Sequence, residues 1–188
     1  YHNNLGACYY NLGRYEDAIP CYKKALELKD DNPVYHYNLG NCYKSLGRYE
    51  DAIPCFQKAL GLKNDESAYH NNLGLCYFNL DRYEDAIPYL MEAIELKGDE
   101  PVYHDNLGLC YYYLGRYEKA IPCYEKAIEL KDDASNYYNH LGNCYKSLGR
   151  YEDAIPCYKK AIELKDDESA YHNNLGACYY NLGRYEDA

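Results

Sequence analysis

The chain has 188 residues and carries 30 acidic against 20 basic side chains, a net charge of -10 that speaks against a nucleic-acid surface, because phosphate binding needs clustered Lys and Arg. Leu, Ile, Val and Phe supply only 34 residues, about 18% of the chain, a level at which a charged sequence is suspected of disorder, yet 28 tyrosines stand beside them. No apolar run approaches the ~18 residues that a membrane-spanning helix needs, so membrane insertion is not expected.

A 34-residue repeat removes the suspicion of disorder. Leu5, Leu39, Leu73, Leu107, Leu141 and Leu175 recur at that spacing, each followed by glycine, and Ala18, Ala52, Ala86, Ala120 and Ala154 keep the same step. Residues 171–188 repeat residues 1–18 letter for letter. The expected organisation is one array: a partial repeat at 1–32, full repeats at 33–66, 67–100, 101–134 and 135–168, and a truncated one at 169–188.

Within a repeat, Tyr35, Leu39, Cys42, Tyr43 and Leu46 step by three and four, which predicts a first helix over Pro33 to Leu46 with Pro33 at its first position. Gly47 ends it, Arg48-Tyr49 turns the chain, and Ala52, Ile53, Phe56, Ala59 and Leu60 predict a second helix from Glu50 to about Lys63. Gly40 and Ala52 should let the two backbones approach closely. Pro20, Pro54, Pro88, Pro122 and Pro156 lie about one turn into the second helices, where each deletes a backbone hydrogen bond and should bend the helix start. A helical hairpin cannot bury both its faces alone, so neighbours must stack into a solenoid.

The stretch YNLGNCYKSLGRYEDAIPCFQKALGL, Tyr37 to Leu62, resembles the tetratricopeptide repeat (TPR) family in its Leu-Gly, Tyr, Ala, aromatic, Ala order. The resemblance implies an all-α fold, a right-handed superhelical α-solenoid of antiparallel helix pairs. Two departures stand out. The family's early Trp is replaced by His2, His36, His70, His104, Tyr138 and His172, and its proline after the second helix by Asp30, Asn64, Gly98, Asp132 and Asp166.

Three columns headed by Tyr1, Tyr9 and Tyr15 hold 18 of the 28 tyrosines, where they read as packing residues with the hydroxyl at an edge. The histidines read as packing substitutes for the Trp, since successive first helices lie ~8–10 Å apart, too far for shared metal coordination. No CxxC or HExxH occurs, the acids recur with the repeat as a unique active site would not, and neither catalysis nor a metal or other cofactor is expected. Counting along antiparallel helices places Cys21 level with Cys42, Cys55 with Cys76, Cys123 with Cys144 and Cys157 with Cys178. Reduced, these thiols are small buried hydrophobes of a cytoplasmic protein; oxidised, they are inter-repeat staples of an extracellular one. Tyr89 stands where a cysteine would pair with Cys110, which favours the reduced form.

The resemblance also implies a concave face lined by first helices, where four columns vary. Tyr37, Asn71, Asp105 and Asn139 form one; Asn38, Asn72, Asn106 and His140 the next; Asn41, Leu75, Leu109 and Asn143 a third; Lys44, Phe78, Tyr112 and Lys146 a fourth. Asparagine offers donor and acceptor together, so such a ladder suits the backbone of an extended, fairly neutral peptide. Chaperone-binding members hold a C-terminal carboxylate with Lys, Asn and Arg, and the Lys columns needed for that clamp are missing, so such a ligand is not expected. The function expected is a non-catalytic protein-interaction scaffold. Two other readings stay open: a segment of a fibre that assembles end to end with copies of itself, and a designed consensus-like array, since residues 35–68 and 137–170 share 26 of 34 positions.

Overall fold

A computed structural model describes residues 1–186. The chain divides into two compact units, Tyr1–Lys97 and Gly98 onward. The first holds α1 (His2–Asn11), α2 (Tyr15–Leu28), α3 (Pro33–Ser45), α4 (Tyr49–Leu62), α5 (Ser67–Asn79) and α6 (Tyr83–Leu96). The second holds α7 (Pro101–Tyr113), α8 (Tyr117–Leu130), α9 (Ser135–Ser147), α10 (Tyr151–Leu164) and α11 (Ser169–Asn181). No strand occurs among the described residues.

Each unit is built the same way. Odd and even helices pair as hairpins, α1 with α2, α3 with α4, α5 with α6, α7 with α8 and α9 with α10. Each even helix then packs on the following odd one, α2 on α3 and α4 on α5 in the first unit, α8 on α9 and α10 on α11 in the second. The architecture is thus an all-α solenoid of hairpins, as the period predicts.

Sequence explains the ends of these helices. Asn32 caps α3 by accepting a hydrogen bond from the Val34 backbone N–H at 3.0 Å, ahead of Pro33 at the first position. At the far end Gly47 adopts φ 71°, which lets its own N–H reach the Lys44 carbonyl at 3.0 Å and the Arg48 N–H reach that of Tyr43 at 2.9 Å. These paired bonds satisfy the orphan carbonyls of the last turn. Asp81 does the same with φ 56°, a non-glycine residue in the left-handed region, and its carboxylate accepts the Tyr83 hydroxyl at 2.6 Å. The even helices run through Pro20, Pro54, Pro88, Pro122 and Pro156 without a break.

In the core, Ala52, Ala59 and Phe56, and their counterparts Ala120, Ala127 and Tyr124, are fully buried. A Cβ on Gly40 would lie 2.8 Å from the Phe56 ring, and one on Gly108 2.7 Å from the Tyr124 ring, so glycine makes room for a large side chain on the paired helix. At Gly74 such a Cβ would also lie 3.4 Å from the backbone carbonyl oxygen of Ala86, the Ala52 counterpart. The Tyr9 column does more than pack. The guanidinium of Arg14 lies 4.7 Å from the Tyr9 ring centre, with the same stacking for Arg48 on Tyr43, Arg82 on Tyr77, Arg150 on Tyr145 and Arg184 on Tyr179.

The histidine column also has a role beyond packing. His36 Nε2 lies 2.7 Å from the Asp30 carbonyl, His70 Nε2 2.8 Å from that of Asn64, His104 Nε2 2.9 Å from that of Gly98 and His172 Nε2 3.0 Å from that of Asp166. A carbonyl only accepts, so Nε2 carries the proton and ties each odd helix to the loop before it.

Candidate peptide-binding face

In the first unit the candidate residues form a bonded network between α3 and α5. Lys44 Nζ donates to Asn72 Oδ1 at 2.6 Å, and Asn72 Nδ2 donates to the Tyr37 hydroxyl at 2.8 Å and to Asn41 Oδ1 at 3.3 Å. The Lys44 ammonium is half-buried, and that burial pulls its pKa down. Tyr37 stacks on Tyr69, ring centres 4.5 Å apart, and Asn38 Nδ2 donates to Asn3 on α1 at 3.2 Å. Asn71 and Asn72 are buried, while Leu75 and Phe78 are half-buried. The amide of Asn72 is therefore engaged within the chain.

The second unit repeats this network between α9 and α11. Lys146 Nζ donates to Asn174 Oδ1 at 2.6 Å, and Asn174 Nδ2 donates to Asn139 at 3.2 Å and Asn143 at 3.3 Å. The buried Tyr158 hydroxyl donates to Asn143 Oδ1 at 2.8 Å.

Between α7 and α9 the arrangement differs. Tyr112 stands in the lysine column and Asp105 in the Tyr37 column. Asp105, buried like its neighbour Asn106, accepts from His140 Nδ1 at 2.8 Å. Tyr124 is the counterpart of Tyr158, but Leu109 stands where Asn143 would receive its hydroxyl. The Tyr124 Oη is accordingly buried without a hydrogen-bond partner. Burial pushes the Tyr124 phenol up and keeps it neutral. A cavity of about 140 Å³ opens here, lined by Leu109, Tyr112, Tyr113, Tyr124, Asn139, His140 and Asn143.

Aromatic pairs mark the ends of four odd helices: Tyr10 with Tyr15, Phe78 with Tyr83, Tyr112 with Tyr117 and Tyr180 with Tyr185, at ring separations of 5.1, 5.4, 5.3 and 5.5 Å. Tyr113 and Tyr180 are exposed. Column reading picks out every candidate at the cavity except Tyr113, which the sequence marks instead as a tyrosine outside the packing columns and so able to touch a partner, and Tyr124, which it misses. The missing signal lies in comparing two columns together: Tyr124 and Tyr158 share one, but only Tyr158 faces an asparagine.

The ten cysteines are free thiols. Cys42, Cys76, Cys110, Cys144, Cys157 and Cys178 are buried. Cys21, Cys55, Cys123 and Cys157 each point Sγ at a backbone carbonyl one turn earlier, at 3.4–3.5 Å. Burial pushes the thiols of Cys42, Cys76 and Cys144 up to about 12; Cys55 adds to this at Cys42, Lys44 opposes it at Cys76 more than Cys55 adds, and Cys123 and Cys157 add at Cys144. Among the described residues no group of His, Cys, Asp or Glu is placed to hold a metal ion, and no helix is long and apolar enough to cross a membrane.

Tetratricopeptide-repeat family models match residues 1–65, 31–99, 64–133 and 99–167, and a second one matches 157–188. The chain belongs to the tetratricopeptide repeat family. Members of this family are generally non-catalytic scaffolds for protein partners, and this TPR chain is a protein-interaction scaffold of that kind. It is similar to MamA, whose crystal structure superposes with a TM-score of 0.82 at 30% identity, over 89% of this chain and 98% of that one. It is also similar to YrrB, described as a TPR protein with an unusual peptide-binding site, with a TM-score of 0.81 at 24% identity over 92% and 89% of the two chains. A thermophilic TPR protein of Thermus thermophilus shares the fold at 23% identity and a TM-score of 0.69, over 95% of this chain and 97% of that one. A search of curated protein sequences gave no match.

Proposed function

We propose that this TPR scaffold binds an extended peptide along the odd helices of its second unit, with the stretch between α7 and α9 as the main point of recognition. The observation that carries this is the cavity at that junction, where aromatic walls surround the unpartnered Tyr124 hydroxyl and no lysine of the chain reaches across as at the two lysine junctions. Pockets of this kind, apolar walls with a few convergent polar atoms, fix the orientation of a guest. The peptide-binding description of YrrB lends support to the same use of the face.

The test is capture from a library of displayed unstructured peptides by the whole chain and by a Tyr112→Ala/Tyr113→Ala/Asn139→Ala variant, with circular dichroism confirming that the variant keeps its helices. Peptides should be enriched by the parent and lost by the variant. Equal capture by both would overturn this reading.

A further inference from the structure

We infer that the cavity between α7 and α9 receives the side-chain ammonium of a lysine from the bound partner; this rests on the peptide-binding reading above. The chain itself shows twice how an ammonium is held at this height. Lys44 and Lys146 each reach across one junction to an asparagine on the next odd helix, Asn72 and Asn174, at 2.6 Å. Between α7 and α9 the position of that lysine is Tyr112 and the position of that asparagine is His140, so the chain supplies no ammonium of its own.

What remains is a set of acceptors. Asp105 accepts from His140 Nδ1, and because a carboxylate has no proton to give, Nδ1 must carry one; an imidazole holding its single proton there keeps a lone pair on Nε2. His140 lines the cavity, so Nε2 is its polar atom left for a guest. Tyr124 lines the same cavity, and its hydroxyl is buried there without a partner, which costs stability until something bonds it. Asn139 and Asn143 also line the cavity, but their Oδ1 atoms already accept from Asn174, and that of Asn143 from Tyr158 as well, so His140 and Tyr124 are the acceptors that count. An ammonium has three donors and no acceptor, which matches this set, and the rings of Tyr112 and Tyr124 suit a cation and the methylenes behind it. The volume of about 140 Å³ accommodates a butyl stem, since cavities of ~150 Å³ admit benzene. The chain's net charge of -10 favours approach by a basic segment.

The experiment uses the whole chain, with methyl and imidazole NMR signals of Leu109 and His140 as the readout at pH 8. The probes are n-butylammonium chloride, 1-butanol and sodium butyrate. The ammonium should shift both residues saturably, and the neutral and anionic probes should need at least about tenfold higher concentration. A Tyr112→Lys/His140→Asn variant, which rebuilds the Lys44–Asn72 arrangement, should abolish the ammonium response read at the Leu109 methyls. Asp105→Asn, acting through His140, should weaken it with the helical spectrum retained. Equal responses to 1-butanol, or an ammonium response unchanged in the rebuilt variant, would overturn the inference. Ac-Gly-Lys-Gly-NH2 against Gly-Gly-Gly-NH2 separates a lysine side chain from a chain terminus, and a response to the second alone would overturn it too. Library capture without lysine enrichment would overturn this inference while leaving peptide binding intact; no capture at all would remove the reading beneath it.

Discussion

Two tyrosines in equivalent positions should respond in opposite directions when each loses its hydroxyl. Tyr124 and Tyr158 are both fully buried, 34 residues apart, and differ in what the hydroxyl meets. Tyr158 Oη donates to Asn143 at 2.8 Å, so Tyr158→Phe removes one buried bond at a cost of about 1–1.5 kcal/mol. Tyr124 Oη has no partner, so Tyr124→Phe removes a polar atom desolvated for nothing and should stabilise by about 1 kcal/mol or more. The two variants are thus separated by about 2 kcal/mol despite identical chemistry. Urea unfolding followed by far-ultraviolet circular dichroism reads this, since at a slope of about 1–3 kcal/mol per molar a change of 1 kcal/mol moves the midpoint by about 0.3–1 M. Because repeat arrays unfold piecewise, the comparison requires equal slopes in both variants. A loss of stability in Tyr124→Phe matching that of Tyr158→Phe would refute the reasoning.

Four further outcomes are expected. Gly40→Ala forces a Cβ to 2.8 Å from the Phe56 ring and should cost about 1–3 kcal/mol in the same assay. Asp81→Gly, made in a Tyr83→Phe background that removes the compensating bond, should raise the melting temperature, since a side chain at φ 56° costs up to about 1 kcal/mol that glycine does not. The Cys42, Cys76, Cys110 and Cys144 thiols are pushed up to about 12 by burial, whereas unfolded thiols titrate near ~8.5. The unfolded chain therefore loses protons that the folded chain keeps, so stability is complete below about pH 8.5 and falls as pH rises toward about 12, as a melting series across that range would show. Finally, intact mass should be the same with and without reductant; a shift of ~2 Da per bridge would instead establish staples such as Cys55–Cys76.

The hairpins were readable from sequence because each repeat states its own periodicity and, except at Asp81, its glycine stop, and tertiary packing agrees with both; among the described residues a side-chain cap is realised only at Asn32. The Pro33 start and the Gly47 stop fall at or within a residue of the observed ends. The candidate face was less readable. Sequence columns name which residues share a helix face, but they do not say that Lys44 and Asn72, 28 residues apart, close on each other, or that Asn72 is thereby occupied. Those facts depend on side chains meeting across a junction. The same limit hid the histidine bond to the preceding loop, because a ring that substitutes for Trp in packing gives no sequence sign of the carbonyl beside it.

The turns between paired helices bear on how the chain folds. At Arg48 the guanidinium stacks on Tyr43, five residues back, and bonds Asp51, three residues on. The same closure recurs around Arg14, Arg82 and Arg150. Contacts this short in sequence lose little loop entropy on forming, so each hairpin can nucleate by itself and folding can spread from several starting points. A substitution such as Arg48→Lys, which keeps the charge but loses the planar stack, should slow the arrival of its own hairpin and leave the distant ones to fold at their usual rate.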